Sequence, residues 1–119
     1  MTDRELLELA AKAAGIALAD WNDGAEPYSS GIGFILPSNR MWNPLTDDGD
    51  ALRLAVDLGL VVDCSRPSAG WAFKPYAIWR DDTMSNADLT RRAIVRAAAE
   101  IGKGMHPFPT AEEIRDEWT

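Results

Sequence analysis

Residues 46–64 read TDDGDALRLAVDLGLVVDC, and within this stretch lie a helix start, a helix end and a strand. Thr46 suits the N-cap position, where a side-chain oxygen accepts from an orphan backbone amide. Asp47, Asp48 and Asp50 then fall in the first turn, where the positive end of the helix dipole favours carboxylates. Leu45, one residue before that cap, is placed to staple onto Ala51. Ala51, Leu54, Ala55 and Leu58 recur at helical spacing and form a stripe to bury. Gly59 can take the left-handed conformation that closes a helix. Leu60-Val61-Val62-Asp63-Cys64 follows at once, β-branched and bounded by turn residues, which predicts a strand. A helix over 47–58 running into a strand over 60–64 commits the chain to mixed α and β structure.

Toward the C-terminus, Arg66 to Gly70 reads as a hairpin-like loop. Trp71 to Trp79 holds aromatics at 71, 73, 76 and 79, but Pro75 cannot donate to a ladder, so an edge strand or two short pieces is expected. Ser85 with Asp88 three residues on forms a capping box, which satisfies two orphan amides reciprocally. Leu89, Ala93, Ile94, Ala97, Ala98 and Ile101 line one face of a helix over 86–101, with Gly102 as its end. Residues 104–109 are a breaker-rich linker, and Thr110 to Trp118 a short helix.

Toward the N-terminus, a helix is expected over 3–14. Thr2 and Glu5 form its capping box, Leu6, Leu9, Ala10 and Ala13 its apolar stripe, and Gly15 its end. Ile16 to Trp21 alternates as a short strand would. Asn22-Asp23-Gly24 signals a turn, and a loop runs through Pro27 to Ser30. Ile32 to Leu36 is a second strand, ended by Pro37, with a turn at Ser38-Asn39-Arg40. Asn43 is extended because Pro44 follows it. The expected fold class is α+β: a small antiparallel sheet of three or four strands packed with three main helices, sandwich-like. Residues 1–103 form the domain, and 104–119 a linker and short C-terminal helix. Leu54, Leu58, Val62, Ile94, Ala97 and Ile101 are expected in the core, with Trp21, Trp42 and Trp71 filling space between sheet and helices.

The chain has 119 residues, enough for one core and too few for two. Hydrophobic residues make up 46% and charged residues 26%, a globular balance. Nineteen acids against twelve bases give a net charge of −7, which repels phosphate backbones and argues against general nucleic-acid binding. Stretches 1–30, 45–65 and 105–119 are acidic, 31–44 carries a single excess base, and only 66–104, at +3, could offer a basic patch. No apolar run approaches the roughly 20 residues that span a bilayer, so no membrane association is expected. The first residues carry acids where a secretory leader would carry bases. One cysteine cannot form an internal disulfide, and a cytoplasmic protein is expected.

Few residues suggest catalysis. His106 lies in the linker between Met105 and Pro107, without an orienting partner, and reads as a surface histidine. Cys64 follows the strand with no activating cation and reads as a buried, inert thiol. Asp47, Asp48 and Asp50 lack the glycine and closing glutamate of a calcium loop and are explained by the helix start. Gly31-Ile32-Gly33 is no phosphate loop. No enzyme, cofactor or metal is therefore expected. The residues left over are aromatic and basic: Trp79 and Trp118, beside loops or in the tail, and Arg91, Arg92 and Arg96, a basic ridge on the last helix. Such types carry binding energy at interfaces, which makes these five the candidate partner-binding residues.

Two segments go further. Trp42 to Val56 (WNPLTDDGDALRLAV) and Thr90 to Gly102 (TRRAIVRAAAEIG) are similar to a phage and prophage α/β/α-sandwich group of small proteins of unknown function. With the first helix, the resemblance covers residues 1–103. It implies helices packed on a small antiparallel sheet and a gene carried by a phage, and it implies no reaction. The expected function is that of an accessory protein in the bacterial host. It would bind a host or phage protein, or another copy of itself, without catalysis, for instance to inhibit a defence system. The alternatives are a binder of a small anionic ligand such as a nucleotide signal, held by Arg91, Arg92 and Arg96, and a minor virion or assembly component. Occlusion of a protein calls for an exposed apolar patch; a ligand sponge calls for a pocket with converging arginines.

Overall fold

The computed structural model describes residues 2–23, 32–71, 74–77 and 83–104. Three helices appear where the capping signals place them: α1 (Asp3–Ala14), α2 (Asp48–Leu58) and α3 (Asn86–Lys103). Thr2 Oγ1 accepts from the Glu5 amide at the start of α1, and Ser85 Oγ accepts from the Asp88 amide at the start of α3. Gly15 and Gly59 close α1 and α2 at φ of 71° and 64°, which other residues adopt only under strain.

Two helix ends differ from the expectation. The N-cap of α2 is Asp47, whose carboxylate accepts from the Asp50 amide at 2.7 Å, while Thr46 sits in the preceding turn. The stronger acceptor wins one residue downstream. Gly102 does not end α3: the helix runs to Lys103, and Gly102 is buried inside it. A Cβ built there would lie 2.0 Å from the Leu9 carbonyl oxygen of α1. The glycine allows two helices to cross closely, which a reading based on termination overlooks.

The α+β class and the three helices stand, and the strands divide between two antiparallel sheets. The first has the order β1 (Asp20–Asp23), β2 (Ile32–Ile35), β3 (Met41–Trp42). The second has the order β4 (Val61–Asp63), β5 (Ser68–Trp71), β6 (Lys74–Ala77). Asn22 and Asp23, expected in a turn, are ladder residues of β1 opposite Gly33 and Ile32. Ser68 to Gly70, expected in a loop, pair with both β4 and β6, so the turn is confined to Cys64–Pro67. Pro75 lies on β6, at an edge of its sheet, where a missing N–H costs no ladder bond.

α3 is central: α1, α2 and the second sheet all pack on it. The core joins Leu7, Ala10 and Ala11 of α1 with Phe34 and Trp42, with Ala51, Leu54 and Ala55 of α2, with Ala69, and with Ala93 to Val95, Ala97 and Ala98 of α3. Leu54, Ile94 and Ala97 are buried as expected. Leu58, Val62 and Ile101 are half-buried at the margin of the core. On α1 the buried face is one residue round from the expected stripe, because Leu7 and Ala11 face α3 while Leu6 and Leu9 are partly exposed. Trp42 is buried, and Trp21 is half-buried with its ring edge-on to Phe34 at 4.8 Å. The Trp71 side chain, Phe73, Trp79, His106 and the expected helix over 110–118 lie outside the described residues.

Candidate functional site

The expected basic ridge is divided. Arg91 turns toward α2: its guanidinium donates to the Leu45 carbonyl at 3.0 Å and to the carboxylates of Asp48 and Asp88. Its side chain is only 13% exposed, so it links the start of α2 to α3. Arg92 turns the other way and pairs with Asp3 of α1 at 3.1 Å. Arg96 is exposed. Three cations close in sequence thus face different neighbours, and two are engaged inside the molecule. Trp79 and Trp118, the other candidates, are not among the described residues.

A second charged cluster is structural. Asp50, 2% exposed, accepts from the Asn43 amide at 2.9 Å and from the guanidiniums of Arg40 and Arg53. Burial alone pushes its pKa up, but these hydrogen bonds outweigh it and hold the carboxyl below its ordinary range. Asn43, also buried, accepts from the Leu45 amide through its side chain. Together the two residues satisfy the turn around buried Pro44 and deliver the chain into α2.

Between α2 and α3 lies a cavity of about 450 Å³. Ala51, Leu52 and Ala55 of α2 form one wall, Ala87, Thr90 and Ile94 of α3 the other, and Val62 and Cys64 flank it from β4 and the turn beyond. Small alanines on both walls keep it open. Asp48, Asn86 and Arg91 complete its described lining. Leu52 on the wall and Val56 one turn further along α2 are 64% and 69% exposed, so the apolar surface continues past the cavity through Val56. Cys64, expected to be buried, is exposed there, because β4 ends at Asp63 and the chain turns outward. Both helix N-termini are already served, by the Asp47 and Ser85 caps and by carboxylates in each first turn. The Ser85 hydroxyl, with help from Arg91, holds Asp88 below its usual carboxylate range, and it stays charged near neutrality.

The groove can therefore take hydrocarbon, and it offers an anion little, since Arg91, the one arginine among its described lining residues, already meets two carboxylates. Its signal was present in the sequence: Leu52 and Val56 are apolar residues four apart that fall outside the buried stripe of Ala51, Leu54, Ala55 and Leu58. Among the described residues no group of three or more His, Cys, Asp or Glu is placed to hold a metal, and no helix is long and apolar enough to cross a membrane. Comparison with family models, curated proteins and solved structures finds no match.

Proposed function

We propose that this chain is a non-catalytic protein-binding module, an accessory protein of phage or prophage origin that occludes a protein in the cytoplasm of its bacterial host. The observation that carries the binding role is the apolar groove between α2 and α3 with its exposed lip of Leu52 and Val56. An open apolar concavity bordered by polar groups is the form that protein contact surfaces take. The commitment of Arg91 and Arg92 to Asp48, Asp88 and Asp3 favours this role over an anion sponge, which would need free guanidiniums converging on a pocket. The phage setting rests on the resemblance of residues 1–103 alone, and inhibition of a defence system on the analogy with other small acidic phage proteins that act by occlusion.

A photo-crosslinking residue placed at Leu52, with one at exposed Ala17 as control, tests the binding role in bacterial cells. A discrete protein adduct is expected from position 52 and not from 17, and Ala87→Trp, which fills the cavity from an exposed position, should abolish it. Adducts at neither position, or equally at both, would overturn it.

A further inference from the structure

We infer that the occupant of the groove is a cationic amphipathic helix of the partner protein, its apolar face laid between α2 and α3 and a lysine or arginine set over Asp48. This rests on the binding role proposed above and adds the chemistry of what is bound.

Three observations lead there. First, α2 and α3 border the groove together, with Asp48 meeting Arg91 at one end, and from Asp48 to Ala55 the cavity follows about two turns of α2. Two exposed helix flanks side by side form the cradle in which a third helix packs, with anchors at i, i+3, i+4 and i+7. Second, Leu52 and Val56 continue the apolar lip along the same helix, which suits a ligand longer than one side chain. Third, the charged groups at the Asp48 end sum to a negative charge, counting Asp88, which does not line the cavity but meets the same arginine that Asp48 does. Asp48 and Asp88 share one guanidinium, and Asp48 keeps 82% of its side chain in solvent. Arg53, the cation of α2, is drawn away to Asp50 and Asp47. The whole chain carries −7, so a basic partner is also attracted from a distance. An acidic helix would add a carboxylate to a site where two already compete for Arg91.

The test uses the full chain and two fluorescent 14-residue helical peptides with the same leucine face, one with lysine flanks and one with glutamate flanks. In fluorescence anisotropy at low salt, the lysine peptide should bind at least about tenfold more tightly than the glutamate peptide. Asp48→Asn should narrow that ratio, added salt should shrink it, and Ala87→Trp should remove binding of both. Equal affinity for the two peptides, or binding untouched by Ala87→Trp, overturns the inference. So does binding of the lysine peptide only after Ile114 and Trp118 are changed to Asp, which would make the chain's own C-terminal segment the occupant. A concentration-dependent dimer in sedimentation that Ala87→Trp abolishes would make it a second copy. If neither peptide binds while position 52 still crosslinks to a protein in cells, the binding role survives and the cationic helix does not.

Discussion

Gly102 stands where α3 crosses α1, and the Leu9 carbonyl occupies the place its side chain would need. Gly102→Ala should destabilise the fold by about 1–3 kcal/mol in denaturant melts, since a backbone atom of another helix has to move. Gly104→Ala, which meets nothing closer than 3.7 Å at a negative φ, should stay within about 0.5 kcal/mol. Equal effects would mean that the crossing is looser than 2.0 Å implies. Asp50 gives a prediction of another kind. Its folded pKa lies below the ordinary 3.8, so the stability it contributes is complete above that value and is lost as the pH falls through the lower folded value. Asp50→Asn should therefore cost roughly 1–2 kcal/mol at pH 7, through weakened bonds to Arg40, Arg53 and the Asn43 amide, and progressively less below pH 4. A deficit that stays constant down to pH 2 would contradict this. In the sequence Asp50 looked like one of three first-turn acids. Its burial depends on the turn at Asn43-Pro44 and on Arg40, ten residues away, contacts that helical spacing does not record.

Among the elements, Leu54 and Ile94 separate core from groove. Both are buried, but Ile94 also lines the cavity, whereas Leu54 is enclosed. Leu54→Ala should cost about 3–5 kcal/mol and Ile94→Ala nearer 2 kcal/mol, because truncation beside an existing cavity removes fewer contacts. The reverse order in denaturant melts would place Ile94 deeper than the structure does. Arg91→Ala should cost more than Arg92→Ala, about 1–2 against 0–1 kcal/mol, since the largely buried Arg91 also bonds the Leu45 carbonyl in the turn before α2 and Arg92 pairs near solvent. The helices were legible because their caps are local: Thr2, Ser85, Gly15 and Gly59 act within one turn. The division of the strands into two sheets was not, because pairing such as Val61 with Gly70 depends on contacts between segments. The face of α1 was ambiguous for a further reason. Leu6, Leu7, Leu9, Ala10, Ala11, Ala13 and Ala14 leave a wide apolar arc, and only the crossing with α3 selects which part is covered.

At the scale of the molecule, the basic ridge and the groove offer rival contact surfaces. Sequence pattern favoured the ridge, since adjacent arginines stand out in a list of residues while ion pairs to Asp3 and Asp48 do not. The proposed groove left no such mark, because its walls come from segments 48–55 and 87–94 and meet only when α2 packs on α3. The most direct test is a two-dimensional NMR titration of the full chain with the lysine-flanked peptide. The groove account predicts shift changes at Ala51, Leu52, Ala55, Val62, Thr90 and Ile94, with Asp3 to Ala14 of α1 unmoved. Changes centred on Arg92 and Arg96 and on the neighbouring α1, with the groove residues silent, would contradict it.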